Sequence, residues 1–163
     1  MTVRVQFLPG EPLTGQLLYR VGEHGFMFQV ADHAEAQQRA GSDGVMSVVA
    51  DTLQIEVGVE TGQLLFAWGY LPASSWVDAE LQRPKFVPGT LKLKALDELE
   101  PGVSFSITRG VDWKAEFDRS AGWLRVFTLS EPSGVAVQIA DGVAVGLQED
   151  EIVEIWLRPR VVD

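Results

Sequence analysis

Cysteine is absent from all 163 residues of this sequence. A chain without cysteine forms no disulfide, no thiolate zinc site and no cysteine nucleophile, and we predict cytoplasmic location as the default. Histidine is scarce, since only His24 and His33 occur and they are not spaced as a metal-binding pair. Asp32 and Glu35, on either side of His33, are explained by helix capping. We therefore predict no metal site.

Motifs that mark catalysis or nucleotide binding are missing too. The chain has no Gly-x-Ser-x-Gly elbow, no phosphate-binding loop and no dinucleotide glycine pattern. Covalent hydrolysis, phosphate binding and hydride transfer therefore lack their usual marks, and we predict no cofactor. Because a missing motif excludes little by itself, the sequence leaves open whether the chain is an enzyme.

Long apolar runs and positive charge are both in short supply. The stretch around Leu64 to Leu71 is far shorter than the roughly 18 to 20 residues of a membrane-spanning helix. Residues 1–9 alternate in polarity, unlike a secretion signal. Lys and Arg number 13 against 23 Asp and Glu, and the formal charge of -10 repels a phosphate backbone. We expect neither membrane nor nucleic-acid contact, and the charge serves solubility or attraction to a basic protein.

The dominant pattern that is present is alternation of apolar and polar residues with a period of two. Val3 to Phe7 and Val103 to Ile107 are clear cases, each typical of a strand with one buried face. Gly62, Gly122 and Gly142 each separate two such segments, where a hairpin turn needs a left-handed residue. We predict a single β-rich domain over residues 1–163. Its fold class is an antiparallel β-sandwich or closed barrel of about ten or more short strands.

Three short segments have helical character, so we expect two or three short helices beside the strands. The first begins at an N-capping Asp32, to which Glu35 reaches back, and it ends at Gly41. A second begins at Ser75, before Pro84 stops it. The third contains Leu96 and Leu99 and ends at Pro101 and Gly102.

The hairpins around Gly62 and Gly122 match at a constant spacing, which also relates Glu56 to Glu116. An internal duplication would produce this match. Similar turn chemistry produces it as well, and the match does not extend into the flanking residues, so we attribute it to the turns. Both glutamates alternate with apolar neighbours, which predicts that they point to water.

Five tryptophans are the most distinctive feature: Trp68, Trp76, Trp113, Trp123 and Trp156. Large rings usually form cores, and we assign the first, third and fifth of them to the core. Trp76 differs because it lies beyond the strand that ends near Tyr70, among small polar residues. Its ring either roofs the core or lines a pocket or partner surface together with Tyr70 and Arg83.

Arg109 is a further candidate for ligand or partner binding. It precedes Gly110 at the end of a predicted strand, where an arginine could hold a carboxylate. The simpler interpretation is a turn with a local pair between Arg109 and Asp112, which would contribute only about 0 to 1 kcal/mol if exposed. No residue is assigned a catalytic role.

The leading functional hypothesis is a noncatalytic, acidic binding or interaction domain in the cytoplasm. Its negative charge would speed encounter with a basic partner, and by analogy an immunity or inhibitor protein for such a partner fits. The alternative is a small-molecule site in a barrel mouth or between sheets, enzymatic or not, near Tyr70 and Trp76. A third hypothesis is an oligomeric accessory domain whose strand from Leu64 to Leu71 pairs with another subunit. The oligomeric state is left open.

Overall fold

Strands form most of the regular structure, as the alternating pattern predicts. The computed structural model describes residues 3–95, 99–107, 111–129 and 131–163. In chain order the strands are β1 (Val5–Leu8), β2 (Gly15–Arg20), β3 (Gly25–Val30), β4 (Val45–Ala50), β5 (Leu53–Gly58), β6 (Leu64–Tyr70), β7 (Val77–Asp78), β8 (Lys85–Pro88), β9 (Thr90–Leu93), β10 (Ser104–Ser106), β11 (Lys114–Asp118), β12 (Trp123–Phe127), β13 (Val135–Ala140), β14 (Val143–Gln148), β15 (Glu151–Leu157) and β16 (Arg160–Val162). One α-helix, α1 (His33–Ala40), and two 3-10 turns, Val21–Glu23 and Ala73–Ser75, accompany them.

The strands form two seven-stranded sheets and a two-stranded ribbon of β1 and β9. Sheet I has the order β10-β4-β5-β6-β3-β2-β16, and sheet II has the order β7-β11-β12-β15-β14-β13-β8. Neighbouring central strands run antiparallel, but the strand at each edge is parallel to its neighbour. The predicted closed barrel is therefore wrong, because both sheets have free edges. The purely antiparallel prediction is corrected to mixed orientation, because distant segments of the chain supply the edge strands.

Sheets I and II repeat one topology. Read from β16, sheet I has the order β16-β2-β3-β6-β5-β4-β10, and β11 to β15 take the places of β2 to β6 in sheet II. The edge strands are exchanged, since β7 follows β6 but pairs with β11, while β16 follows β15 but pairs with β2. This repeat relates the β4–β5 turn to the β13–β14 turn, and hence Asp51 to Asp141. It does not relate the hairpins of Gly62 and Gly122, whose match reflects turn chemistry.

The core is a single large cluster to which both sheets contribute, including Tyr19 and Ile55 from sheet I and Leu124 and Ile155 from sheet II. A smaller cluster on the outer face of sheet II contains Trp123, Ala136, Ala144 and Trp156, with Leu81 and Phe86 packed against it. Trp156 is buried as predicted, but in this outer cluster. Trp68 and Trp113 are half-buried.

The three predicted hairpins are confirmed. Gly62, Gly122 and Gly142 have φ angles of 72°, 77° and 74°, the left-handed region that glycine enters without steric cost. The first strand differs from its prediction, because Val5 is buried but Phe7 is 46% exposed. The reason is that β1 belongs to the ribbon, where the Phe7 ring lies over Gly89.

The first helix is confirmed, since the Asp32 side chain accepts hydrogen bonds at the start of α1 and the Gly41 N–H bonds back to the helix. Glu35 pairs with Arg39 at 2.7 Å instead of reaching back. The predicted helix at Ser75 is wrong. A single 3-10 turn leads instead into β7, which pairs in parallel with β11 at the edge of sheet II. Of the third predicted helix, Leu96 lies outside the described residues, and Leu99 is not helical. No helix in the described ranges is long and apolar enough to cross a membrane.

Candidate functional site

Trp76, the central residue of the predicted site, packs on the aromatic part of the core. Its ring centroid lies 4.7 Å from that of Tyr19, 6.0 Å from that of Phe26 and 5.2 Å from that of Phe117. The Tyr19 hydroxyl accepts a hydrogen bond of 2.8 Å from the Ala73 N–H, which holds the turn that leads to Trp76. This packing matches the interpretation of Trp76 as a roof. A binding role for its ring stays a prediction.

Of the other predicted site residues, Tyr70 makes no ring contact with Trp76, and Arg83 lies beyond sheet II. Tyr70 is 53% exposed, with its ring 6.3 Å from that of the exposed His24. Arg83 is exposed and belongs to segment 79–84, which crosses the outer face of sheet II where the Leu81 N–H donates to Asp118. Since Trp76 contacts the inner face of sheet II, Arg83 and Trp76 lie on opposite sides of that sheet. Arg109 lies outside the described residues.

An open groove of about 300 Å³ lies on the outer face of sheet I, near its β10 edge. Four adjacent strands, β10, β4, β5 and β6, contribute to it together with the residues that precede β10. We call it the Glu56 groove, and it is lined by Val45, Met46, Ser47, Gln54, Glu56, Trp68, Gly102, Val103 and Ser104.

Strand register assembles the polar part of the Glu56 groove. Ser47 is paired with Ser104 on one side and with Glu56 on the other. Gln54 of β5 is paired with Trp68 of the neighbouring strand β6. Because side chains alternate along β5 and its other residues enter the core, Gln54 and Glu56 face outward.

The Glu56 carboxyl is half-buried and forms no ion pair with any residue in the described ranges. Burial raises its pKa above the ordinary value, and the nearby Trp68 indole N–H opposes this rise by a smaller amount. The Trp68 Nε1 atom is close enough for this effect but outside hydrogen-bonding geometry, and it is buried without a partner. Desolvating a carboxylate without a cation costs stability, and acids perturbed in this way cluster at functional sites.

A second cavity, of about 270 Å³, lies between the β4–β5 turn of sheet I and strands β7, β11 and β12 of sheet II. Its lining includes three charged residues, Asp51, Lys114 and Glu116, together with apolar residues; along β11, Lys114 and Glu116 alternate with the core-facing Ala115. Some of its lining residues are sequence neighbours of Tyr70 and Trp76, but neither of these two residues lines it. We call it the Asp51 cleft, and its lining is Asp51, Leu71, Ser75, Val77, Trp113, Lys114, Ala115, Glu116, Val126 and Phe127.

A buried ion pair lies on the outer face of sheet II. Arg125 Nε donates to Glu154 Oε2 at 2.7 Å, and the two side chains are 3% and 1% exposed. Glu154 Oε1 accepts from the Ser133 N–H at 3.0 Å and from the Ser133 hydroxyl, while Arg125 also donates to the Leu129 carbonyl at 2.8 Å. Gly146 leaves room for the pair, because a Cβ there would overlap Glu154. With both carboxylate oxygens bonded, this cluster holds Leu129 and Ser133 against sheet II and offers no open binding group.

Sequence reasoning missed the Glu56 groove, because alternation along β5 placed Glu56 in water. The predicted pairing of β5 with β6 could have brought Gln54 and Trp68 together. The half-burial of Glu56 depends on β4 and β10, and no local pattern indicated that these strands are neighbours.

The chain offers no metal cluster within the described ranges, where no group of three His, Asp or Glu side chains is suitably placed. No protein-family model matches the chain, and no curated protein matches it. Function is therefore inferred from the geometry and charge of the two cavities.

Proposed function

We propose that this chain is a noncatalytic binding domain for a basic protein, and that a lysine or arginine side chain of the partner occupies the Glu56 groove. The observation that carries the proposal is the half-buried Glu56 carboxylate beside the Trp68 ring, without a cation from the described residues. An ammonium or guanidinium group would supply the missing charge and pack against the ring. The hydroxyls of Ser47 and Ser104 offer further hydrogen bonds.

The charge of the whole chain supports the same kind of partner. The formal charge is -10, and most acidic side chains in the described ranges take part in no ion pair. Such a field attracts a basic protein over long distances and raises the association rate at low salt. An immunity-like or inhibitor-like role toward a basic partner is one form of this function.

Glu56 also fits a binding role because its position costs stability. The folded chain would be more stable if the polar residue at this position were fully exposed to water. Proteins keep such destabilising residues mainly at functional sites. Because a bound cation favours the ionised carboxylate, affinity should increase as the pH rises through the raised pKa of Glu56.

The proposal is tested by isothermal titration with an oligo-lysine peptide, an oligo-arginine peptide and a length-matched polyglutamine peptide at low salt. Glu56→Gln should weaken binding of the basic peptides about tenfold or more, since a charge-assisted hydrogen bond is lost. It should also remove the pH dependence of binding. Polyglutamine should not bind.

Glu80→Gln is the matched control, because Glu80 is exposed on the segment that covers sheet II and the substitution removes the same charge. Equal loss in both variants would mean that net charge alone attracts the peptides, which rejects the groove. Absence of binding by either basic peptide would reject the basic partner itself.

Small-molecule binding is the second candidate function, and the Asp51 cleft favours it. The cleft adjoins the predicted location near Tyr70 and Trp76, and it combines charged and apolar lining groups. A thermal-shift screen tests this function, because a ligand that binds the folded chain raises its Tm. Enzymatic activity is not part of the proposal.

We also infer that sheets I and II form a β-sandwich. Its support is the shared cluster of buried side chains from both sheets. Cytoplasmic location stays a prediction from the lack of cysteine.

A further inference from the structure

We infer that the basic partner adds an extended segment to sheet I beside β10, and that an arginine of this segment places its side chain in the Glu56 groove. The inference rests on the proposed function and names the form in which the partner presents its basic residue. Its basis is the free backbone edge of β10, which lies at the open end of the groove.

Strand β10 leaves alternate backbone groups turned away from sheet I. Its only strand neighbour in the described ranges is β4. The Val103 carbonyl accepts a hydrogen bond of 3.0 Å from β4, and the Ile107 N–H donates one of 2.8 Å to β4. Because backbone groups alternate in direction along a strand, those of Ser104 and Ser106 point away from β4. Both serines are exposed, so this edge is accessible to another strand.

Among the edge strands of sheets I and II, β10 is the least protected against strand addition. Natural sheets block their edges with charged residues, prolines or covering segments. Strand β7 contains Asp78, β8 contains Lys85 and Pro88, and β16 contains Arg160. The sequence of β10 is Ser-Phe-Ser, with neither a charge nor a proline. A partner strand can therefore pair with this edge without burying a charge of the edge strand.

The polar row of the Glu56 groove ends at the same edge. Ser104 of β10 is paired with Ser47 of β4, which is paired with Glu56 of β5. Paired residues of neighbouring strands have their side chains on the same face. A partner residue opposite Ser104 would therefore place its side chain on the outer face, in line with Glu56. Only two small serines separate that position from the carboxylate.

The length of this row selects a long cationic side chain. Neighbouring strands are about 4.8 Å apart, so β5 lies about 14 Å from a strand added beside β10. A short side chain would end above the serines, whereas arginine extends farthest toward Glu56. Its guanidinium group also pairs with a carboxylate through two parallel hydrogen bonds, which lysine cannot form. We therefore expect arginine rather than lysine opposite Ser104.

Charge distinguishes a basic partner from a second copy of this chain. Glu100 precedes β10, and Asp43 precedes Gly44, which lies against Pro101. Both acids are exposed, and neither forms an ion pair within the described ranges. Two copies with a formal charge of -10 each repel one another, whereas a basic segment is attracted.

The test is titration calorimetry at low salt with a peptide that alternates threonine and arginine, since threonine favours strands. Two N-methylated forms lack the backbone donors of either the arginines or the threonines. Because a strand presents alternate N–H groups to opposite sides, only one of these sets faces β10. Methylation of that set should lower affinity about tenfold or more, and methylation of the other set should leave it unchanged. Lysine in place of arginine should weaken binding about fivefold.

Ser106→Pro tests the same edge from the side of the chain. Proline removes the outward N–H of position 106 and places its ring where the added strand would lie. It keeps the hydrogen bonds to β4, because position 106 faces away from that strand. Binding should weaken about fivefold or more. Ser106→Ala keeps the N–H and is the matched control, with unchanged affinity expected. Position 106 does not line the Glu56 groove, so the substitution leaves the groove intact.

Equal affinity of the two N-methylated peptides would overturn strand addition, and this arm does not depend on the folding of Ser106→Pro. If Glu56→Gln still weakens binding in that case, the proposed function survives without the inference. If the unmodified peptide does not bind, both fail. Equal affinity of the lysine peptide would overturn the selection of arginine. A dimer in sedimentation that Ser106→Pro dissociates would assign the edge to a second copy and overturn the inference.

Discussion

Arg125→Met tests whether the buried pair of Arg125 and Glu154 stabilises sheet II and holds Leu129 and Ser133 against it. Methionine keeps much of the arginine stem but leaves the Glu154 carboxylate, 1% exposed, without a cation. Removing one partner of a buried pair costs about 3 to 5 kcal/mol, because the remaining charge stays desolvated. For a domain of this length that loss corresponds to a fall in Tm of about 6 to 20 °C. Urea unfolding followed by tryptophan fluorescence measures it, since Trp123 and Trp156 lie on the same face of the sheet.

Arg119→Met is the matched control for this prediction. Arg119 pairs with Asp78 at 2.9 Å, but the two side chains are 74% and 65% exposed, so the loss should stay within about 1 kcal/mol. The double variant Arg125→Met with Glu154→Gln should recover much of the stability, because no buried charge remains. A loss below about 1 kcal/mol for Arg125→Met, equal to that of the control, would refute the anchoring role.

Three further predictions concern Gly146, Glu56 and Trp76. Gly146→Ala should destabilise the fold by about 1 to 3 kcal/mol in urea, because its Cβ would overlap Glu154; an unchanged midpoint would contradict this. Glu56→Gln should raise stability at pH 7, because a raised pKa means that the ionised carboxyl is less stable in the folded chain. This gain in stability should shrink as the pH falls through the raised pKa toward the ordinary glutamate value. A gain that grows as the pH falls would contradict the prediction. Trp76→Ala should lower the free energy of unfolding by about 3 kcal/mol, because its ring packs on the core, while Tyr70→Ala should change it by about 0.5 kcal/mol or less. Similar unfolding curves for the two variants would show that the Trp76 ring does not stabilise the core.

The strands and hairpins could be predicted from the sequence because their causes are local. Alternation shows which side chains of a strand face the core, as in β5, and glycine at positions 62, 122 and 142 marks turns that need positive φ. The N-cap of α1 was equally local, since Asp32 acts within its own turn. Pattern did not reveal that β7 would form where a helix was expected.

The third hypothesis, subunit pairing through Leu64 to Leu71, illustrates a limit of the same reasoning. An apolar strand can lie at a subunit edge or in the middle of a sheet, and its composition is the same in both places. Here β6 lies inside the sheet, with β5 along one side and β3 paired with its end at Gly69 and Tyr70 on the other. Subunit pairing through this strand stays a prediction.

Composition and period-two patterning alone determined that this acidic chain would be mainly β and would turn at its glycines. Tertiary structure decided which strands are neighbours, and therefore the repeated sheet order, the exchanged edge strands and both cavities. Alternation records which face of a strand is buried but carries no information about the strand beside it. Glu56 became half-buried, and the β4–β5 turn was brought to strands β7, β11 and β12, only through segments that are distant along the chain.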